Sequence, residues 1–181
     1  MKPSKAALAA KLKKIRLVVA DIDGVLTGGT IYHFVDTTGE LVEFKGIHAQ
    51  DSIAMAWLGE SGIVTGVISG RVSKGTDARL RILKVKHIYQ HRLDKANVFA
   101  EILKAEGLEP GQALYIGDDL PDLAVMTRAG LAVAPANARP EVKAAAHWVT
   151  KARGGEGAFR EMTEALLKSQ GLWAPILARY R

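Results

Sequence analysis

A doubly wound α/β fold on a parallel sheet is what the sequence predicts, and two observations predict it. Short apolar or β-branched runs alternate with stretches of helical spacing along the 181 residues. The chain is 48% hydrophobic and 24% charged, long enough for one domain with a sizeable core. Strands are expected at 16–20, 64–69, 87–90, 113–117, 131–134 and 147–150. Helices are expected over 51–61, 73–83, 94–106, 121–128, 139–145 and 157–170. That alternation implies a sheet covered on both faces. No repeat, low-complexity tract or linker divides the chain, so residues 1–181 are expected to form a single domain.

From the start of the chain, MKPSKAALAAKLKKIR is basic but lacks an apolar run of signal-peptide length, and 18 apolar residues never occur in succession. A soluble, cytoplasmic protein without membrane contact is expected, with residues 1–14 as a solvated basic leader. The absence of cysteine excludes disulfides and thiolate ligands, so any metal must sit on oxygen or histidine. A formal charge of +6 suits an anionic substrate, a phosphorylated metabolite or a nucleic acid alike. Behind Gly29, TIYHFV and ELVEF flank DTTG, which predicts a β-hairpin whose open edges suit an oligomer contact. Trp57, Phe99 and Phe159 are expected to face the sheet. The tail 171–181 is left either disordered or packed on another subunit.

VVADIDGVLTGG drives a buried strand into Asp21 and Asp23. Aspartates are at home in turns and helix caps, so alone the pair has an ordinary explanation. A second strand, however, ends in YIGDDLPD, with Asp118, Asp119 and Asp122. In open α/β sheets the ligand crevice lies outside the carboxyl ends of the strands. Two such ends can form an all-oxygen site for a hard cation such as Mg²⁺. VISGR adds Ser69, Gly70 and Arg71, a hydroxyl and N–H groups beside a guanidinium, which suit a phosphoryl group. Lys95 opens the next helix, where a cation can neutralise phosphate oxygens. SGR is also an ordinary loop tripeptide, and Lys95 alone could be a solvated helix residue; together, acid, hydroxyl, lysine and acid occur in order at successive strand ends.

In these four segments the sequence resembles the haloacid dehalogenase superfamily: DIDGVLTGG looks like its first motif, Ser69 its second, Lys95 its third and GDDLPD its fourth. The resemblance spans roughly residues 14–170. It implies Asp21 as nucleophile forming an aspartyl-phosphate, and Asp23 as the acid and later the base. It implies Mg²⁺ held by the Asp21 carboxylate, the Asp23 carbonyl and Asp118, with Asp119 or Asp122 completing or orienting the shell. Ser69, Gly70 and Lys95 would bind phosphoryl oxygens. The intervals between motifs leave no room for a large cap domain.

The hairpin, IYQ, GDDLPD and RGGEGAFRE are similar to the capless subgroup containing 3-deoxy-D-manno-octulosonate 8-phosphate phosphatase and 2-keto-3-deoxynononate 9-phosphate phosphatase. The resemblance implies a phosphorylated sugar-acid substrate, a role in lipopolysaccharide biosynthesis, and a homotetramer. In that assembly the hairpins form a central barrel and a neighbour completes each site. Arg71 and Arg153 are the candidates for the substrate carboxylate, although 153–157 also reads as a loop before a helix. The chain departs from the octulosonate pattern F-N-V-R-D-G, reading FKGIHAQDSI. Asp51 can be matched as substrate-binding, Gln50 stands where the arginine would be, and DS at 51–52 resembles the nine-carbon branch. His48 is either an anion ligand or a surface loop histidine. A phosphatase of another small metabolite remains an alternative. A receiver-like Mg²⁺ module would not need Asp23, Ser69 and Lys95 together. A nucleic-acid phosphatase would offer basic, aromatic-rich stretches, and aromatics are only 6% here.

Overall fold

The computed structural model describes residues 3–181. Six parallel strands run in the order β5-β4-β1-β6-β7-β8: β1 (Leu17–Ala20), β4 (Val64–Ile68), β5 (His87–Tyr89), β6 (Ala113–Ile116), β7 (Leu131–Ala134) and β8 (Trp148–Val149). A separate antiparallel pair, β2 (Tyr32–Val35) and β3 (Leu41–Phe44), is the expected hairpin. Its turn is tied by Asp36, whose Oδ1 accepts the N–H groups of Thr38 at 2.8 Å and Glu40 at 3.0 Å. Gly39 takes a φ of +87° there, a conformation that costs glycine little.

The central strands look uniformly apolar in sequence, yet they divide their side chains between two cores with the period of two that a pleated strand imposes. Val18, Ala20, Leu114, Ile116, Leu131 and Val133 face one cluster. Leu17, Val19, Ala113, Tyr115, Ala132 and Ala134 face the other. The first face is covered by α1 (Lys5–Lys14), α2 (Ala49–Glu60), α3 (Lys74–Ile82), α7 (Ala158–Ser169) and α8 (Trp173–Ala178). The second is covered by α4 (Lys95–Glu106), α5 (Leu123–Met126) and α6 (Pro140–Ala145). Trp57, Phe99 and Phe159 are buried in these clusters, as expected. Among the described residues no helix is long and apolar enough to cross a membrane.

Two terminal segments differ from expectation. Residues 1 and 2 of the expected leader lie outside the described residues, but 5–14 form a helix rather than a solvated strand of charges. Ser4 caps it by accepting the Ala7 N–H at 3.2 Å, Leu12 is buried, and Lys11 Nζ donates to Gly130 O at 2.7 Å. The tail is likewise ordered on its own chain. Trp173 packs edge-on against Trp57 with ring centroids 5.4 Å apart, and Trp57 Nε1 donates to the Tyr180 hydroxyl at 3.2 Å.

Helix α7 begins at Gly157, which has no side chain to satisfy the helix's free N–H groups. Asp51 of α2 supplies that group from across the fold, accepting Arg160 N–H at 2.8 Å and Gly157 N–H at 3.3 Å. Burial pushes its carboxyl above the usual value, against the pull of those two N–H groups. Replacing Asp51 by Ala leaves the α7 donors unpaired and is expected to lower stability by about 1–3 kcal/mol in urea unfolding. Asp51→Asn retains an acceptor and should lose less, with KM unchanged in the folded variant.

Candidate active site

The strand order reverses its direction of winding between the parallel neighbours β1 and β6, the position at which open α/β sheets form their ligand crevice. Four strand ends deliver the candidate groups to it. Asp21 continues β1, its N–H donating to Ile116 O at 3.0 Å, and Ser69 continues β4 with its N–H on Tyr89 O at 2.9 Å. Asp118 follows β6 after Gly117. Lys95 is the first residue of α4, after an N-cap made by Asp94.

These side chains meet in one buried network. Lys95 Nζ donates to Asp21 Oδ1 and to Asp122 Oδ1, both at 2.7 Å. Tyr115, wholly buried on β6, donates its hydroxyl to the same Asp122 oxygen at 2.7 Å. The other Asp122 oxygen accepts the N–H groups of Asp118 at 3.0 Å and Asp119 at 3.2 Å. Asp122 is therefore fully engaged as the brace of the GDDLPD loop, and Asp119 turns its carboxylate to the Leu120 N–H at 2.8 Å. Asp118 Oδ1 is buried without a partner among the described residues. Oxygens of Asp21, Asp118 and Asp122 lie within 4.8 Å of one another. A hard divalent cation fits this donor set, with Asp21 and Asp118 holding the free oxygens.

The electrostatics carry the same message. Burial raises Asp21 to about 6 despite Lys95 beside it. Burial, with Asp21 and Asp122 nearby, raises Asp118 to about 7. Burial opposes the Lys95 ammonium, but the carboxylates of Asp21 and Asp122 outweigh it and hold its pKa above the ordinary value. Buried carboxyls that outnumber the cation beside them keep their protons to higher pH. Gly24, at φ +91°, lets the Asp118 carboxylate lie against the backbone; a Cβ there would overlap it.

The cleft, about 180 Å³, is lined by nine of the residues singled out in the sequence: Asp21, Asp23, Ser69, Gly70, Arg71, Lys95, Asp118, Asp119 and Asp122, with Leu93 and Pro121. Ser69 Oγ is oriented by accepting the Arg71 N–H at 3.2 Å. Asp51 and Arg153 are not brought to it. Asp51 is occupied at α7, and the Arg153 guanidinium stands 3.6 Å from Glu156 at the surface. The 153–157 loop instead braces the first motif: Gly155 N–H donates to Val25 O at 2.9 Å, and Gly154 N–H to Asn137 Oδ1 at 2.7 Å. His48 precedes α2, half-buried, with Nδ1 unpartnered. A larger hollow of about 710 Å³, lined by Lys13, Arg16 and Ser61 among others, opens at the amino end of the sheet, away from the acids.

Two participants were missed in the sequence. Tyr115 carried a signal, since a tyrosine inside a buried strand needs a hydroxyl partner. Lys45, 2.7 Å from Asp23 Oδ1, carried none, because only the folded hairpin brings it there.

The raised acids fix a pH dependence. Asp21 and Asp118 ordinarily titrate at 3.8 but do so at about 6 and about 7 in the fold, so the folded state binds these protons more tightly. Stability from them is full below about pH 4 and is lost as pH rises through 6 and 7. Without divalent cation, melting temperature should fall from pH 5 to pH 8 relative to Asp118→Asn. Added Mg²⁺ should raise it more at pH 8 than at pH 5; an equal rise at both would contradict this reading.

Comparison with known proteins agrees with the geometry. The family model of haloacid dehalogenase-like hydrolases matches residues 81–162. The 3-deoxy-D-manno-octulosonate 8-phosphate phosphatase of Escherichia coli K12 is 37% identical over 169 residues, covering 93% of this chain and 88% of the relative. A solved structure of the Moraxella catarrhalis phosphatase of that name, in complex with magnesium ion, phosphate ion and KDO, superposes with a TM-score of 0.92 at 33% identity. It covers 98% of this chain and 100% of that one. The crystal structure of a probable YrbI family phosphatase from Pseudomonas syringae gives 0.90 at 40% identity, covering 96% of both chains. With likeness over nearly its whole length and the acids gathered where that chemistry needs them, the chain belongs to the haloacid dehalogenase-like hydrolases and is a phosphatase.

Proposed function

We propose that the chain hydrolyses 3-deoxy-D-manno-octulosonate 8-phosphate to the free sugar acid and inorganic phosphate, with Mg²⁺ as cofactor. The observation that carries the chemistry is the buried Asp21 carboxylate held by Lys95 beside the unpartnered Asp118 oxygen. The named substrate of its near relatives carries the choice of sugar.

Asp21 attacks phosphorus; the P–O bond to the sugar breaks as an acyl-phosphate bond forms. Asp23 gives its proton to the departing oxygen, then takes one from the water whose oxygen attacks the same phosphorus, releasing phosphate and restoring Asp21. Lys95 neutralises phosphoryl charge, and the Ser69 hydroxyl and Gly70 N–H bind its oxygens. Mg²⁺ on Asp21, Asp118 and the Asp23 carbonyl supplies charge neutralisation between carboxylate and phosphate dianion. Asp122 orients this set, and Arg71 at the cleft mouth meets the substrate's carboxylate.

Tyr32, Phe34, Val35, Leu41 and Phe44 are all at least half exposed, which supports self-association through the hairpin, and the assembly proposed is a homotetramer. Sedimentation should give a tetramer mass, and Phe34→Asp with Phe44→Asp should reduce it.

Phosphate release is measured with Mg²⁺ from octulosonate 8-phosphate, nononate 9-phosphate, hexose phosphates, nucleotides and a 5′-phosphorylated oligonucleotide. The eight-carbon substrate should exceed the others in kcat/KM by about 10²-fold or more, as expected when specific contacts discriminate. EDTA should abolish turnover, and folded Asp21→Asn should show none. Uniform low activity across the panel would remove the sugar-acid assignment; turnover by Asp21→Asn would remove the covalent mechanism.

A further inference from the structure

The hairpin does more than offer an apolar surface. Lys45, directly after β3, reaches back into the first-motif loop and places its ammonium 2.7 Å from Asp23 Oδ1. Its side chain is only 1% exposed, whereas that of Asp23 is 19% exposed. Glu43 Oε1 holds the same ammonium from 3.2 Å, an ion pair without hydrogen-bond alignment. Among the described residues Lys45 is the only hydrogen-bond donor to the Asp23 carboxylate. The backbone fixes the arrangement independently, since Ile47 bridges antiparallel to Thr27 and Thr27 bridges to Asp23.

We infer that Lys45 is a positioning residue that aims the Asp23 carboxyl at the leaving oxygen. A buried ammonium is tolerated only when paired, so its partner is held in one place rather than swinging in solvent. With Oδ1 bound by Lys45, rotation about the Asp23 side chain is restricted, and Oδ2, which takes no hydrogen bond from the described residues, is left to exchange the proton. Lys45 itself is not among the residues lining the cleft, and its side chain is almost wholly buried, so it acts through Asp23 rather than on the substrate. Proton transfer is steep in distance and angle, so a carboxyl that is present but unaimed loses much of its effect.

This rests on the reading of Asp23 as proton carrier, and leaving-group dependence separates the two. A sugar alkoxide needs a proton to depart, whereas p-nitrophenolate leaves as a stable anion. The ratio of kcat/KM for the preferred sugar phosphate to that for p-nitrophenyl phosphate reports the first chemical step and therefore the proton donor. It is measured for wild type, Asp23→Asn, Lys45→Met and Lys45→Arg, with circular dichroism to establish folding. Asp23→Asn should lower the ratio by about 10²-fold or more, the lower end of general acid contributions. Lys45→Met should lower it at least about tenfold while leaving the aryl value within about threefold, a fraction of the full contribution. Lys45→Arg, which can still donate to Oδ1, should recover most of the ratio. Should Lys45→Met fail to fold, Lys45→Gln is read by the same criterion. If Asp23→Asn separates the two esters while the Lys45 variant depresses both alike, or neither, the positioning role is overturned. If Asp23→Asn does not separate them, the proton-carrier reading falls, and the role of Lys45 with it.

Discussion

A lysine ammonium buried between two carboxylates organises this protein. Lys95 opens α4, Asp21 ends β1 and Asp122 lies in the loop after β6, so its two 2.7 Å hydrogen bonds join three elements that the sheet brings only into the same neighbourhood. None of the three could be buried alone: an isolated charge in the interior is prohibitively unfavourable, and each is tolerated because the others are present. The parallel sheet brings the backbone ends near one another, and this cluster fixes where the side chains stop.

The remaining parts of the site are consequences of keeping that cluster in place. Asp122 cannot turn toward a cation, because Tyr115 and two backbone N–H groups hold its oxygens together with Lys95. That leaves Asp21 and Asp118 as the acids with capacity to spare, and their raised pKa values reflect burial first and the neighbouring carboxylates second, both of which a divalent cation would offset. Support extends outward by backbone contact. The 153–157 loop braces Val25, and Asp51 starts the helix that follows that loop. A residue that looked like a substrate ligand is thus a helix cap two steps removed from the chemistry.

Much of this was readable in the sequence because the fold repeats one local event. An apolar strand ends and a polar residue follows, so Asp21, Ser69 and Asp118 announce themselves by position, and Lys95 by opening the helix behind the third strand. The parallel sheet and the hairpin were legible on the same grounds, period and turn chemistry, whereas the order of the strands within the sheet emerged only with the fold. Roles set by contacts between distant segments were not legible. Asp51 reads as an acid after a hairpin until Gly157 is seen to lack a cap of its own. Residues 5–14 read as a basic leader, and the packing of Leu8 and Leu12 against the core, with the Lys11 hydrogen bond to Gly130, is what anchors them as a helix. Lys45 and Asp23 are separated by 22 residues and a hairpin, and no spacing rule joins them.

The size of the cleft has its own implication. At about 180 Å³ it falls below the roughly 300–1,000 Å³ of pockets that enclose a whole ligand, so one chain wraps the phosphoryl end of a substrate and little else. Charged and hydroxyl side chains make up most of its lining, with Leu93 and Pro121 as the apolar members. A cleft of this size grips the phosphoryl group that all phosphate monoesters share, so most of what distinguishes one sugar from another lies beyond its walls.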